Sequence, residues 1–257
     1  MTAGLSACSW TCEPGYMAAD GSRRYRRRVE STGRSEIQIR VRPFAEAISD
    51  ASRDLDELAL AIAAVLRPRL DLIGTLTILD ELAADCPTPT REGVMSYLFG
   101  SGLFEGDHTD YRHWRNSCLD QVLVTRRGIP ITLAVVAVEV ARRVGVRLVG
   151  VGLPGHFLVG DADDASWFAD PFHGRSGLTA SDCRQLLVAM GAQRWSDRYL
   201  EPTPNRLIVA RMLNNLKATC EFHSDDVRLA LVMQARHEMP EFAAEADAAR
   251  HTLAIFN

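Results

Sequence analysis

The chain has 257 residues, of which 47% are hydrophobic and 24% charged, as is typical of a globular protein with one large domain or two small ones. Acidic residues outnumber basic ones by 33 to 29, giving a formal net charge of −4, so we expect no nucleic-acid binding by the folded core. The only lysine, Lys217, follows Leu216. A Walker A phosphate-binding loop is therefore excluded, because its lysine must follow a glycine.

The cysteines show neither a disulfide framework nor zinc-ribbon spacing, which favours a reduced cytoplasmic protein. The six are Cys8, Cys12, Cys86, Cys118, Cys183 and Cys220. The N-terminus lacks a basic stretch followed by an apolar one, so no signal peptide is predicted. The strongest apolar run, 129–138, is shorter than the roughly 20 residues that cross a bilayer. We therefore expect no membrane association.

Residues 1–40 differ in composition from the rest of the chain. They are rich in Gly, Ser and Thr, contain a basic cluster over 23–28, and have no hydrophobic period. This composition predicts a disordered tail. The basic cluster leaves open an arm for nucleic acid or for an acidic partner.

Residues 41–127 are predicted to form a helical N-terminal region. Apolar residues recur at intervals of three and four, which indicates amphipathic helices. Ser117 and Asp120 have the spacing of a capping box and indicate a helix start. The predicted helices cover 55–66, 72–83 and 90–99, and a further helix begins at Ser117.

Residues 128–200 are predicted to form a core in which one buried helix packs on a small antiparallel sheet. Pro130 suits the first turn of a helix, where its missing N–H is harmless. The segment that follows is apolar on most sides and is therefore expected inside the protein. The predicted elements are the helix 131–143, the strands 146–153, 156–159 and 166–170, and the helix 179–190 capped by Thr179 or Ser181.

Residues 201–257 are predicted to form a helical tail. The hydrophobic period indicates helices over 205–221 and 227–238, a turn at 223–225, and a last helix after Pro240 that ends near Ile255. The two longer helices would form one tetratricopeptide-like hairpin. Because such repeats normally need three units to stand alone, we expect it to pack on the core. A peptide or protein partner would bind on its surface; no oligomeric state is predicted.

His156 and Asp170 are the residues most informative about chemistry. If a hairpin turns at residue 163, the two positions are cross-strand neighbours with Cβ atoms about 5 Å apart. An Asp beside a His orients the ring and stabilises the imidazolium, as in a nucleophilic triad. A surface His near a turn Asp is the alternative interpretation.

The motifs around these two residues follow a known order. Arg127-Gly-Ile-Pro130 precedes the buried helix, Gly155-His156 lies on a predicted strand, and Asp170-Pro171 lies on the next. This order resembles the transglutaminase-like superfamily. There a nucleophilic Cys starts the helix, a His follows on a strand, and an Asp precedes a Pro on the neighbouring strand.

A more specific resemblance is to SirB-type proteins, bacterial transglutaminase-like proteins with a helical front and a tetratricopeptide-like tail. It covers roughly residues 50–240. The segments that carry it are Asn116-Ser117, Arg127–Ile131, Gly152–Phe157, Asp170–Phe172 and Asn214–Lys217. The resemblance implies an α+β fold. It would have a helical N-terminal half, a transglutaminase- or papain-like core with a small antiparallel sheet, and a C-terminal helical hairpin.

The chain departs from this pattern at the nucleophile. Pro130 stands two residues after Gly128, where the superfamily has its Cys. Proline has no nucleophilic side chain, and the flanking Ile129 and Ile131 supply none. The hydroxyl of Thr132 is a poor nucleophile without activation.

The leading hypothesis is therefore a transglutaminase-like protein without its nucleophile, acting as a non-catalytic binding or regulatory module. His156 and Asp170 would line a residual cleft for a peptide or a small ligand. The other residues expected to line this cleft are Asn116, Arg127, Gly128, Pro130, Thr132, Gly155, Phe172 and His173.

Cys118 supplies an alternative, an active cysteine hydrolase or acyltransferase. With Ser117 as cap, Cys118 would occupy the first helical position, where the macrodipole and nearby arginines lower a thiol pKa. His156 would be the base, and Asp170 would orient it. A packed, inert Cys118 is the other interpretation.

A metal-binding protein is the second alternative. His156, Asp170, His173 and Cys183 are of ligand type and close in sequence. None has the i, i+4 or C-x-x-C spacing that marks a strong zinc motif. The sequence therefore assigns no metal ligand and no cofactor.

Overall fold

The structure, a computed structural model, describes residues 34–192 and 194–243, which form an α+β fold. The helices are α1 (Arg34–Ser49), α2 (Leu55–Leu66), α3 (Leu72–Ala84), α4 (Arg91–Met95), α5 (Leu119–Thr125), α6 (Pro130–Arg143), α7 (Ala180–Ala189), α8 (Asn205–Phe222) and α9 (Asp226–His237). The strands are β1 (Glu105–Gly106), β2 (Arg127–Gly128), β3 (Leu148–Val151), β4 (Leu158–Asp161), β5 (Phe168–Asp170) and β6 (Arg175–Leu178). A π-helical turn (Ser96–Gly100) continues α4, and 3₁₀ turns cover Trp114–Ser117, Pro171–His173, Asp197–Leu200 and Pro240–Phe242.

Local caps start several helices where the sequence predicts. The Gly74 N–H donates to Asp71 Oδ1 (2.9 Å) at the start of α3. At α7, the Thr179 N–H donates to Asp182 Oδ2 (2.8 Å) and the Asp182 N–H donates to Thr179 Oγ1 (3.3 Å). This reciprocal pair satisfies two backbone donors that the helix leaves free. The predicted Thr179 cap is confirmed.

Helix α1 begins inside the segment 1–40 that was expected to be disordered. It starts at Arg34 and packs on α2 and α9 through the buried Val41, Phe44 and Ile48. Their spacing is helical, but Pro43 lies between them, and proline more often marks a helix boundary. Residues 1–33, including the basic cluster, lie outside the described residues.

Helix α6 is the centre of the molecule. Pro130 is its first residue, as predicted, and most of its side chains are buried. It packs against α2 and α3 on one side and against β3, β4 and the Pro171–His173 turn on the other. Two of its polar side chains, Thr132 and Glu139, are buried as well. The helix therefore joins the helical half of the protein to the sheet.

The sheet is a four-stranded antiparallel meander in the order β3-β4-β5-β6. Strands β3 to β5 overlap the three predicted strands, whereas β6 was not predicted. A separate parallel pair joins β1 to β2, with Gly106 opposite Gly128. One large apolar core lies between the helices and the sheet, and a smaller one, which includes Cys183, lies beneath β6 and α7.

The C-terminal helices form the predicted hairpin. Helix α8 pairs with α9 across a turn at His223–Asp225, and α9 packs on α1 and α2. The hairpin was expected to pack on the core of residues 128–200, but it packs mainly on the N-terminal helices, and α8 also contacts α6. The predicted last helix, beyond residue 243, lies outside the described residues. Within 34–192 and 194–243, no helix combines the length and hydropathy needed to cross a membrane.

Candidate functional site

His156 follows a tight corner that joins β3 to β4. The His156 N–H donates to the carbonyl of Leu153 (3.2 Å), and Gly155 has a φ of +74°, where glycine is strongly favoured. Because the corner takes up these residues, β4 begins only at Leu158. The predicted strand over 156–159 is wrong at its first two residues. The imidazole of His156 is buried, whereas Gly155 is exposed.

Asp170 ends β5 and caps the 3₁₀ turn that follows. Its Oδ1 accepts the backbone N–H groups of Phe172 (3.1 Å) and His173 (3.4 Å). Its Oδ2 lies 2.9 Å from His156 Nε2 and 2.7 Å from His173 Nδ1. The carboxylate is fully buried, so these four contacts hold it in one orientation.

His156 and Asp170 meet by a different register from the one predicted. Val159 pairs with Ala169 and Gly160 with Phe168, so the hairpin turns one residue later than position 163. Asp170 is then one step past Ala169, diagonal to His156 rather than opposite it. Diagonal neighbours on antiparallel strands lie within reach of long side chains, and the imidazole bridges the gap.

Charge and hydrogen bonding set the protonation of this group. Burial acts to raise the pKa of Asp170, but the hydrogen bonds with His156 and His173 outweigh it and hold that pKa well below its usual range. The hydrogen bond to Asp170 raises the pKa of His173, against the opposing effect of burial. Asp170 is therefore an anion at neutral pH with an imidazole on each side.

Aromatic rings form one wall beside these residues. Phe172 lies edge-on to His156, with 6.2 Å between ring centroids, and contacts His108 (4.5 Å) and Tyr111 (5.8 Å). His173, which is exposed, lies 5.6 Å from His156 and 5.8 Å from His108 by the same measure. Phe172 and His173 thus lie beside His156 and Asp170, together with His108 and Tyr111, which the sequence motifs did not single out. No local pattern links them to residues over 60 positions away.

Asn116 supports this wall from behind. Its Nδ2 donates to Asp107 Oδ2 (3.0 Å) and to the carbonyl of Asp110 (2.8 Å), and its own carbonyl accepts the Ile129 N–H (3.3 Å). Burial acts to raise the pKa of Asp107, but hydrogen bonds, including those from the Asp110 N–H and Asn116, lower it to about 2. Asn116 therefore ties the loop of His108 to the start of α6.

Arg211, on α8, holds the corner that precedes β4. Its Nη2 donates to the carbonyls of Leu153 (2.7 Å) and His156 (2.8 Å), and its guanidinium lies over the ring of Phe157 (5.1 Å). A Cβ at Gly152 would lie 2.4 Å from Arg211 Nη1. Arg211 therefore fixes the backbone of His156.

A family model described as the transglutaminase-like superfamily matches residues 49–214, well over half of the chain. The chain belongs to the transglutaminase-like superfamily. The matched span includes α6, His156 and Asp170.

Several proteins are similar to this superfamily member in sequence. A UPF0162 protein of Xylella fastidiosa is 43% identical over 129 residues, which are 48% of this chain and 46% of that protein. A UPF0162 protein of Pseudomonas aeruginosa is 33% identical over 174 residues, 63% of each. Human F-box only protein 21 is 32% identical over 104 residues, 37% of this chain and 17% of that protein. The chain spans about half the length of the first of these relatives. No solved structure matches it.

The order of the sequence motifs predicts Pro130 at the position of the superfamily's cysteine. Pro130 is buried at the first position of α6. Thr132, two residues further on, is fully buried, and its Oγ1 has no hydrogen-bond partner among the described residues. Arg127 is exposed and pairs with Glu105 (2.5 Å), while Gly128 packs against Val122. Arg127 and Gly128 thus form strand β2 and stabilise its pairing with β1.

Cys118 lies in surroundings opposite to those predicted. It is the N-cap of α5 rather than the first helical residue, because the 3₁₀ turn extends through Ser117. The predicted capping box does not form, since Asp120 pairs with Arg67. The sulfur is completely buried, and burial raises the pKa of Cys118 to about 12, against the opposing charges of Arg67 and Arg228. The expected low pKa is wrong.

The remaining described cysteines are unpaired, and two of them are buried. Burial raises the pKa of Cys183 to about 11 and that of Cys220 to about 12. Cys86 is partly exposed and does not belong to the group around Asp170. Cys8 and Cys12 lie outside the described residues.

Proposed function

We propose that this chain is a non-catalytic member of the superfamily that acts as a binding or regulatory module. The observation that carries the proposal is Pro130 at the start of α6. The pattern places a thiol there, and a proline ring has no atom that attacks a carbonyl. The sulfur of Cys118, the best replacement in the sequence, has no contact with solvent.

The surface formed by His173, His108 and Tyr111 beside the buried His156 and Asp170 is the ligand site in this proposal. It combines a buried anion, two imidazoles that differ in exposure, and an aromatic wall that includes Phe172 and Tyr111. A few convergent polar groups beside aromatic rings are typical of sites that bind peptides or small ligands. The ring of Tyr111 is partly exposed, so it can contact a ligand from the rim.

The proposal includes a SirB-type architecture in which α8 and α9 form a tetratricopeptide-like hairpin. In this proposal the hairpin, whose exposed apolar side chains include Leu207 and Val227, offers its surface to a peptide or protein partner. The segment shared with human F-box only protein 21 makes up 17% of that protein, which supports its use as a module. A cytoplasmic location fits the unpaired cysteines of the described residues.

Reaction with a thiol probe tests whether the chain is catalytic. The native full chain is treated with iodoacetamide, the labelled cysteines are mapped, and hydrolysis of amide and ester substrates is measured. We expect no labelling of Cys118 in the folded protein and no turnover that depends on a cysteine. Amide hydrolysis or acyl transfer that Cys118→Ser abolishes, while Cys220→Ser leaves it intact, would overturn the proposal.

A further inference from the structure

We propose that His156, Asp170 and His173 bind a divalent transition-metal ion of the zinc class. The three residues come from the β3–β4 corner, the end of β5 and the 3₁₀ turn after it. Their ligand atoms, His156 Nε2, Asp170 Oδ2 and His173 Nδ1, all lie within 4.8 Å of one another. In the described part of the chain this is the one group of its kind.

The distances suit a shared ion after small movements. With metal–ligand bonds of about 2.0–2.2 Å, two ligand atoms on a tetrahedral ion lie about 3.3 Å apart. Asp170 Oδ2 is now 2.9 Å from His156 Nε2 and 2.7 Å from His173 Nδ1. Each contact must therefore open by roughly half an ångström. His173 is on the exposed side of the group, so its side chain can open its own contact with Asp170. The contact between His156 and Asp170 opens only by movement of the buried imidazole.

The distance between the rings of His156 and His173 agrees with ligation of one ion by both. A ligated imidazole has its centroid about 3.2 Å from the ion, so two such rings on a tetrahedral ion have centroids about 5 Å apart. The centroids of His156 and His173 are separated by 5.6 Å. A water molecule would take the fourth position, as it does in zinc sites with three protein ligands.

The donor set selects the class of ion. Two imidazoles and one carboxylate suit Zn²⁺, Co²⁺, Ni²⁺ or Fe²⁺, whereas Mg²⁺ and Ca²⁺ prefer oxygen ligands throughout. Ligation requires a lone pair at His156 Nε2 and at His173 Nδ1. The proton that either atom now shares with Asp170 must move to the other ring nitrogen or leave to water.

The surrounding hydrogen bonds hold the ligands in place. Asp170 Oδ1 is fixed by the N–H groups of Phe172 and His173, which leaves Oδ2 directed at the two rings. Arg211 fixes the backbone of His156. Such second-sphere contacts orient metal ligands and reduce the rearrangement needed for binding. The site contains no cysteine, because Cys183 is packed in the smaller core.

Titration of the metal-free full chain with Zn²⁺ and Co²⁺ tests the inference. Calorimetry gives stoichiometry and affinity, and the visible spectrum of bound Co²⁺ reports on its ligands. The test variant is His173→Gln, which changes an exposed side chain and should leave the fold intact. The matched control is His237→Gln, which alters an exposed histidine at the end of α9. We expect one ion per chain, a loss of at least tenfold in affinity for His173→Gln, and no change for His237→Gln.

The melting temperature gives a second readout, because an ion that binds only the folded state stabilises it. Zn²⁺ should raise the melting temperature of the native chain and of His237→Gln, and raise that of His173→Gln much less. Binding below one ion per chain, or equal affinity in both variants, would overturn the inference. The group would then be two histidines hydrogen-bonded to Asp170. The result is independent of the iodoacetamide experiment, which probes cysteines.

Discussion

At the scale of single residues, the best-determined part of the site is the carboxylate of Asp170. It is completely buried, and its two oxygens take part in four hydrogen bonds, two with backbone N–H groups and two with imidazoles. A buried anion is tolerated only when it is satisfied in this way. Asp170 therefore stabilises the 3₁₀ turn as well as orienting the two imidazoles.

Replacing the carboxylate of Asp170 should destabilise the folded protein. Asp170→Ala leaves the N–H groups of Phe172 and His173 without acceptors, so we expect the free energy of unfolding to fall by about 2–4 kcal/mol. Asp170→Asn should cost less, because its amide oxygen still accepts those N–H groups. The exposed Asp163→Ala is the control and should cost less than about 1 kcal/mol. Urea unfolding measures all three. Equal losses for Asp170→Ala and Asp163→Ala would contradict this account.

At the scale of elements, the aromatic wall depends on a close approach between β1 and the 3₁₀ turn of Phe172. A Cβ at Gly106 would lie 2.6 Å from both Phe172 Cδ2 and the Phe172 carbonyl oxygen. Atoms cannot stay so close, and the backbone atom cannot swing aside. Gly106 therefore sets the distance at which the loop of His108 meets the turn.

Gly106→Ala should separate β1 from the turn. We expect a loss of about 1–3 kcal/mol, the range for overpacking a close contact, and a change in the environment of Phe172. Gly100→Ala is the matched control, since its Cβ would meet Ser96 Oγ at an ordinary 3.5 Å. Thermal unfolding gives the stabilities, and NMR of the Phe172 ring gives the local effect. A Gly106→Ala variant as stable as the control would show that the contact is looser than described.

Elements that depend on short-range signals were predictable. The Thr179 cap, Pro130 at the start of α6 and the two helices of the tail follow from caps and periodicity within a few residues. Contacts between distant segments were not. His108 reaches Phe172 only because β1 packs on the 3₁₀ turn. The thiol of Cys118 has a raised pKa because helices from both ends of the chain bury it. A helix terminus alone predicts the opposite shift.

At the scale of the whole molecule, a buried polar cluster joins the helices that surround α6. Arg143 of α6 joins the buried carboxylates of Glu139 on the same helix and Asp56 on α2, and it also pairs with the exposed Asp80 of α3. Arg142 contacts Glu139 and Asp56 as well. Removing a single partner from such a cluster leaves a buried charge uncompensated. The cluster therefore couples the helical half of the protein to the helix that carries Pro130.

Glu139 makes stability depend on pH. Burial, reinforced by the neighbouring Asp56, raises its pKa to about 7, above the value of about 4.3 expected in the unfolded chain. Between these values the folded state holds a proton that the unfolded state has lost. The free energy of unfolding must therefore fall as pH rises from about 4.5 to 7, and level off above it.

Glu139→Gln removes this titration while it keeps the size and shape of the side chain. We expect the native chain to lose about 1–3 kcal/mol of stability between pH 5 and 7.5 from this residue, and the variant to show a correspondingly smaller slope. Glu46→Gln, which changes an exposed glutamate on α1, should keep the native slope. Urea unfolding at pH 5, 6, 7 and 8 compares the three proteins. Parallel curves for the native chain and Glu139→Gln would mean that Arg142 and Arg143 keep Glu139 ionised throughout, because the two guanidinium groups would then outweigh its burial.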